Sequence, residues 1–337
     1  FTEEESCLTA QSLVLSNLLG HDSHGVIRVH EYIHFFNHKE VFSGAQLTIK
    51  AEGPGFLKAE AGYGLGQVQM PRLLEKLVPK ASQCGVATGT IRQCGHTGRI
   101  GEWVEKLAAQ GLAAMNAVND NGGFECVAPP GGKQARTSTN PIAFAIPLPD
   151  GNYFSFDMST SAVAIGKMRL AHIAGEECAA GLLQDADGRP TNDPSVLFSE
   201  PKGCLLPFGG AQAYKGFGLS MMVDCLVAGM SGGFTPPAPQ GEDLANNVMI
   251  TAWSAEAFDN LEHMQRETQK YIDYVRQTEP VDPAYPVRVP GDRSRHTYKA
   301  RLEHGIPISL GTVQKLSYRA ETYGIQMPDV FSTALKS

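Results

Sequence analysis

The sequence predicts an α/β fold that lacks the usual dinucleotide-binding signature. Three observations carry that expectation. The chain has 337 residues, too many for one minimal core; the length suits two packed domains, or one large α/β domain with a helical annex. Along the middle of the chain, short strand-like segments alternate with helical stripes. The G-x-G-x-x-G fingerprint is missing, because its nearest candidate, Gly62-Tyr63-Gly64-Leu65-Gly66, has the wrong spacing.

Residues 3–19 place Leu8, Leu15, Leu18 and Leu19 at helical spacing; Leu13 and Val14 widen the stripe and Gly20 is a stop. A polar turn, His21-Asp22-Ser23-His24-Gly25, precedes a second helix from about Val26 to Asn37. Ala45 to Leu65 is β-like in texture. Pro71 to Ser82 is expected to be helical, with Leu73, Leu74, Leu77 and Val78 at core spacing and Pro79 kinking or shortening it. Gly85 to Ile91 is expected as a buried strand, Gly101 to Gln110 as a helix and Leu112 to Val118 as a strand. Ile142 to Pro147 and Tyr153 to Phe156 are further strands, and Ala171 to Ala211 is loop-rich. Gly216 to Met230 is expected to be a buried helix, Gly232 to Asp243 a Pro/Gly-rich connection and Val248 to Trp253 a strand. Phe258, Leu261, Met264, Tyr271, Ile272 and Val275 mark a long amphipathic helix. A helix over Lys299 to His304 ends at Gly305, and Leu310 to Tyr323 is the last.

Lys+Arg is 28 and Asp+Glu is 35, a net charge of −7, and no stretch gathers basic residues. Nucleic acid is thereby an unsuitable partner, since phosphate binding needs a positive stripe. An anionic substrate must be met by a few local cations. The seven cysteines are odd in number and none are spaced C-x-x-C, so neither a disulfide framework nor a cysteine zinc site is expected. A reducing, cytoplasmic setting fits them. The longest apolar run, Gly216 to Met230, is broken by Asp224 and falls short of the ~20 residues a membrane helix needs. The acidic first residues lack the plan of a signal peptide and enter a helical pattern at once, so a short lead is expected to be missing.

The densest polar cluster is His21 to Gly25 with Arg28. An imidazole can exchange a proton with a substrate oxygen near neutral pH. A guanidinium four residues on, expected on nearly the same face, can grip a carboxylate at two points. Together they suit reduction of a 2-oxo acid. The competing readings are a helix cap at Asp22 or Ser23 and a metal site at His21 and His24, which lacks further ligands. Gly95-His96-Thr97-Gly98-Arg99-Ile100-Gly101 lies between a strand and a helix, where amides could approach a phosphate and Arg99 a pyrophosphate, or it is a plain connector. Thr137 to Pro141 and Asp157 to Ser161 flank strands and could meet a ribose or a carboxamide, or serve only their own turns. Lys215 opens a helix, where it would suit an external anion or be a solvated surface lysine. Pro290-Gly291-Asp292 has the composition of a turn.

Several landmarks occur in a fixed order. They are Gly20 to Gly25 with Arg28, Gly95-His96 with Gly98, and Thr139-Asn140-Pro141-Ile142-Ala143-Phe144. Next come Asp157 to Ser161, Gly166-Lys167 and Asp185-Ala186-Asp187-Gly188-Arg189-Pro190-Thr191. Lys215-Gly216-Phe217-Gly218, Pro290-Gly291-Asp292 and Gly305-Ile306 complete the set. Each is weak, but the ordered set resembles the non-Rossmann malate/L-lactate dehydrogenase family, which includes L-sulfolactate dehydrogenase, ureidoglycolate dehydrogenase and Δ1-piperideine-2-carboxylate reductase. His96 to Gly101 is most similar to its hydroxycarboxylate dehydrogenase B branch, which acts on 2-oxo acids with NAD.

The resemblance implies a non-Rossmann mixed α/β cofactor domain over 51–254. With it comes a helical substrate and dimerisation domain from 1–50 plus 255–337. It implies NAD or NADP as cofactor, a small 2-oxo or 2-hydroxy acid as substrate, no membrane partner, and a homodimer or higher homo-oligomer. His24 would be the general acid/base, Ser23 and Arg28 its neighbours at the substrate, and His96 the second active-site histidine. Cofactor contacts would be Gly98, Arg99, Ile100, Asp157, Met158, Ser159, Tyr214, Lys215, Asn246, Pro290, Gly291 and Asp292, with no metal. Reduction of a cyclic imine carboxylate on the same scaffold is the near alternative, and a metal-dependent hydrolase the distant one. The chain departs from the family pattern at Asp292 (usually Glu), Ser138 (usually Gly) and Phe217 (usually Tyr), and Asn119 to Gly123 is not typical either.

Overall fold

The computed structural model of the protein describes residues 1–242 and 244–328. Asp243, at the end of the expected Pro/Gly-rich connection, and 329–337, the tail of the second expected helical segment, lie outside the described residues. A seven-stranded mixed sheet forms the centre. Its strands in chain order are β1 (Thr48–Gly53), β2 (Phe56–Gly64), β3 (Val86–Cys94), β4 (Leu112–Asn119), β5 (Ile142–Pro147), β6 (Tyr153–Met158) and, late in the chain, Asn246–Ser254. Three two-residue strands lie between: β7 (Leu183–Gln184), β8 (Pro190–Thr191) and β9 (Cys204–Leu205), so the late strand is β10. The large sheet runs β1-β2-β3-β10-β4-β5-β6. Within this sheet the one parallel pairing is β2 with β3, which are joined by a crossover helix, α3 (Gly66–Cys84).

Alternation along the strands decides the layers. Leu112, Ala114 and Val118 of β4 face the main core with Trp103, Val104 and Leu107 of α4 (Gly101–Ala108) and Leu73 and Leu77 of α3. Met115 and Ala117 face the other way, onto Val223 and Val227 of α6 (Tyr214–Ser231). The main core is rich in alanine on the sheet side, at Ala59, Ala61, Ala87, Ala114, Ala143, Ala145 and Ala252. Small side chains there let α3 and α4 lie close to the strands.

The chain ends are helical. α1 (Glu3–Leu18) packs on α3 and on α8 (Asp292–His304), and α2 (Arg28–Asn37) packs on α9 (Leu310–Thr322). Leu13, Tyr32, Val41, Leu65 and Val68 form one cluster that binds α1 and α2 to α3. Ile272 of α7 (Leu261–Arg276) packs with Leu148 and Val289.

Three expectations are refined. Pro79 does not shorten its helix, which contains both Pro71 and Pro79 and runs to Cys84. The segment expected as loop-rich begins inside α5 (Ile165–Ala174) and beyond it is loop with the three short strands and short 3-10 turns; strands of two residues leave no periodic signal. The helix expected to be buried, α6, is covered on one side only. Met221, Met222, Leu226 and Met230 are exposed. An apolar composition all round a helix argues for burial, and in this single chain one face of α6 has no cover.

Candidate active site

The turn that carries the first histidine is a 3-10 turn, Asp22–His24. It is clamped from both sides. Arg301 of α8 pairs with both oxygens of Asp22 at 2.6 and 2.9 Å, and Asn17 of α1 donates to the same carboxylate at 2.7 Å while its own oxygen accepts from Val26 N at 2.8 Å. Gly25 is required here: a Cβ would lie 2.2 Å from the Asn17 side chain. The capping reading of Asp22 and Ser23 is not realised, since α2 begins after Ile27 with no side-chain cap. His24 and Arg28 do not share a helix either. They come together because Arg28 Nε donates to Ser23 O at 2.7 Å.

His24 Nδ1 lies 3.1 Å from Ser23 Oγ. Its ring stacks on His96 with centroids 5.7 Å apart and planes at 15°. Burial, with the nearby cations Arg28 and Arg99 adding to it, pushes the His24 pKa well below its ordinary value. His96 leaves the end of β3. Its loop comes within reach because Gly66 lacks a Cβ, which would sit 2.6 Å from His96 O.

Donor and acceptor bookkeeping then settles the state of His96. Gly98 N–H donates to His96 Nδ1 at 3.3 Å, so Nδ1 carries no proton. The Tyr32 hydroxyl, 2.9 Å from the same nitrogen, must therefore donate to it. Tyr32 oxygen in turn accepts from Gln67 Nε2 at 2.8 Å. The single ring proton is left on Nε2, which has no protein partner among the described residues. Burial and Arg28 push the His96 pKa down to about 3, so the ring stays neutral and can offer a hydrogen bond without titrating. Tyr32→Phe is expected to mix the two tautomers and lower kcat about tenfold, the equivalent of one hydrogen bond. Two-bond proton–nitrogen spectra of labelled histidine check this. An Nδ1–H signal from His96 in the unmutated protein would refute it.

Arg28 is partly committed. One terminal nitrogen pairs with Glu31, whose other oxygen pairs with Arg169 of α5. Burial alone would raise the Glu31 carboxyl; Arg28 and Arg169 outweigh it and hold its pKa below the ordinary carboxylate value. Arg28 Nη2 remains, facing the approach of Gly166 and Ser23.

Asp22, Ser23, His24, Arg28, Glu31, His96 and Arg169 line a single cavity of about 1100 Å³. It lies along one end of the sheet, where β3, β4 and β6 finish and β5 and β10 start. Ser23, His24, Arg28, His96, Gly98, Arg99, Ile100, Asp157, Met158, Ser159 and Asn246 all reach it. Asn246 accepts from Thr97 N and Oγ1 at 2.9 and 3.3 Å. Lys167, Arg169 and Arg293 add cations.

Five expected contacts are elsewhere. Tyr214 and Lys215 are exposed at the start of α6 and are not in the cavity wall. Pro290, Gly291 and Asp292 are not in it either, because they tie down α8: Asp292 accepts from Arg276, Arg295 and Val289 N at 2.6, 2.7 and 2.9 Å. In the loop over 95–101, expected as a phosphate cradle or a plain connector, the Thr97, Gly98 and Gly101 amides donate to Asn246, His96 and Asp157. Both terminal nitrogens of buried Arg99 pair with Glu105 at 2.9 and 2.6 Å, and its buried Nε has no partner among the described residues.

Sequence reasoning missed Glu31, Tyr32, Gln67, Arg169, Arg293 and the carboxyl of Asp120. The three-residue spacing of Arg28 and Glu31 is a local signal for that ion pair. Tyr32 follows Glu31 on α2 with nothing local to mark its role, and the rest come from distant parts of the chain. Asp120 follows β4, in the cavity wall. Burial pushes its carboxyl up to about 7 against the Ser138 hydrogen bond, with Asp224 adding to the rise. Among the described residues no three His, Cys, Asp or Glu side chains gather as metal ligands.

A model of the malate/L-lactate dehydrogenase family matches residues 1–317. Hydroxycarboxylate dehydrogenase B of Escherichia coli K12 is 31% identical over 328 residues, covering 96% of this chain and 89% of that protein. A Δ1-pyrroline-2-carboxylate/Δ1-piperideine-2-carboxylate reductase of Pseudomonas syringae pv. tomato is 33% identical over 322 residues, covering 93% and 87%. The solved sulfolactate dehydrogenase of Methanocaldococcus jannaschii superposes with a TM-score of 0.82 at 28% identity, covering 96% of this chain and 92% of that one.

Proposed function

Since the chain belongs to the malate/L-lactate dehydrogenase family, we propose that it interconverts small 2-oxo acids and 2-hydroxy acids with a nicotinamide cofactor. The observation that carries the reading is the convergence of a low-pKa imidazole, a neutral imidazole with a free Nε2–H and a guanidinium in one cavity. The residues fit a nicotinamide group. The cavity is at the upper end of the usual size for small-molecule sites, with room beside a small acid. Ile100, Met158 and Pro141 give it apolar wall, and Asn140 Oδ1 in that wall is a buried acceptor without a protein partner. Gly98, Arg99, Ile100, Asp157, Met158, Ser159 and Asn246 are the proposed contacts. When bound, the cofactor supplies or receives the hydride at C2 of the acid. Arg28 holds the carboxylate through Nη2, its remaining nitrogen, which sets the face presented. His96 donates from Nε2 to the C2 oxygen. His24 gives that oxygen its proton in reduction and takes it back in oxidation.

The depressed His24 pKa has a direction. In the free enzyme the imidazole is neutral at pH 7, the form oxidation needs. The kcat/KM for oxidation is expected to be level above neutrality, and that for reduction to fall about tenfold per pH unit. Rates at 340 nm from pH 5.5 to 9 with NADH and NADPH test both points against a panel of 2-oxo acids. No oxidation of either cofactor by any member would sink the reading. Cyclic imine carboxylates belong on that panel, because the Pseudomonas relative is named for their reduction.

The apolar stripe of α6 supports a homodimer with a second copy over it; light scattering in solution measures this. The seven free thiols fit a cytoplasmic setting, and no helix among the described residues is long and apolar enough to cross a membrane. The division into a cofactor unit over 51–254 and a helical unit from both ends belongs to the same proposal.

A further inference from the structure

Ser138 and Asp120 touch one another in the cavity wall. Ser138 stands just before Thr139-Asn140-Pro141, and Asp120 follows β4. Ser138 Oγ donates to Asp120 Oδ2 at 2.5 Å, and both residues are in the cavity wall. Among the described residues, no other residue gives the second oxygen, Oδ1, a hydrogen bond although it is buried, the carboxyl's remaining help is its own main-chain N–H, and no ion pair reaches it. A buried carboxyl with one satisfied oxygen is a costly arrangement that a ligand donor would relieve. Asn140 Oδ1, in the same wall, is a second acceptor in this state. Of the cations in the cavity wall, Arg28 comes from α2, Lys167 and Arg169 from α5, Arg293 from α8 and Arg99, paired with Glu105, from the loop after β3. The wall therefore offers cations for a carboxylate and, at Asp120 and Asn140, acceptors for a donor.

We propose that Asp120, held by Ser138, is a specificity-determining residue that receives an N–H or O–H donor from the bound pair. Resting on the oxidoreductase reading, this narrows it: the preferred ligand set carries a donor besides its carboxylate. The donor comes from one of two sources. One is the cofactor, through its carboxamide or ribose hydroxyls. The other is the substrate, as a hydroxyl or a protonated imine nitrogen. Sites built to hydrogen-bond a donor reject analogues that lack it strongly, because the buried acceptor is left unpaired.

Asp120→Asn turns one acceptor oxygen into a donor with little change of shape, and two readouts separate the sources. The first is the dissociation constant of NADH and NADPH from fluorescence, with no turnover required. The second is the ratio of kcat/KM for hydroxypyruvate or Δ1-piperideine-2-carboxylate to that for pyruvate. A cofactor donor is expected to weaken the dissociation constant about tenfold with the ratio steady. A substrate donor is expected to shift the ratio about tenfold with the dissociation constant steady. If neither moves, the assignment is wrong. If Asp120→Asn fails to fold, Ser138→Ala, which frees Oδ2, should move one of the same readouts severalfold, and no movement there overturns it too. A protein that binds cofactor but reduces nothing on the panel defeats the oxidoreductase reading and leaves the first readout to judge Asp120. A protein that does neither defeats both.

Discussion

Replacing His24 with alanine is expected to lower kcat by about 10²–10⁴, the usual worth of a positioned general acid. Binding of reduced cofactor, followed by fluorescence, should stay within about twofold, since the contacts proposed for it lie on other segments. The clamp on the turn predicts that the fold survives. Asp22 keeps its pairs with Arg301 and Asn17 when the imidazole is gone. His24→Ala also removes the ring that stacks on His96, so His24→Phe is the matched control for packing. It should be as inactive as the alanine variant. Substantial turnover in both would mean that the proton comes from elsewhere. Because His96 is held neutral with its proton on Nε2, it offers a hydrogen bond but no titrating group to take over.

Arg28→Ala is expected to lower kcat/KM for 2-oxo acids by about 10²–10³, mostly as a rise in KM. Two losses combine. The carboxylate loses its planar partner, and Glu31 keeps its negative charge in the cavity with only Arg169 opposing it. The second loss can be measured separately. Adding Glu31→Gln to Arg28→Ala removes the repelling charge and should recover about tenfold of the lost kcat/KM. Arg28→Lys keeps the charge but loses the geometry that lets Nε hold Ser23 O, and should fall between wild type and alanine. Equal losses in all three variants would show that Arg28 acts on the fold of the turn and not on the substrate.

Much of the fold was legible because it rests on local periodicity. β5 was read to its exact ends, and α1, α4, β4, β10 and α9 within about two residues. The two-residue strands were not, since they offer too few residues for a period to show, and α5 was not because its ten residues bury only Met168 and show no apolar stripe. His24 and Arg28 were legible as residue types suited to an acid/base and a carboxylate grip. The helical face expected to unite them was not what unites them; a main-chain carbonyl does. The five contacts carried over at Tyr214, Lys215 and Pro290 to Asp292 fall outside the cavity of the single chain.

The linear order of residues determined the kinds of element, the family and the chemistry on offer, because periodicity, turn composition and motif order are properties of neighbours along the chain. Tertiary structure decided which groups are free to act. Glu105 and Glu31 reach across to occupy Arg99 and part of Arg28, Tyr32 and Gln67 set the proton on His96, and Asp120 is left with an unmatched oxygen. Glu31 and Glu105 lie three and six residues from the arginines they hold, but the His96 proton depends on hydrogen bonds between segments far apart in the chain, and such contacts leave no mark on the spacing of the residues that make them.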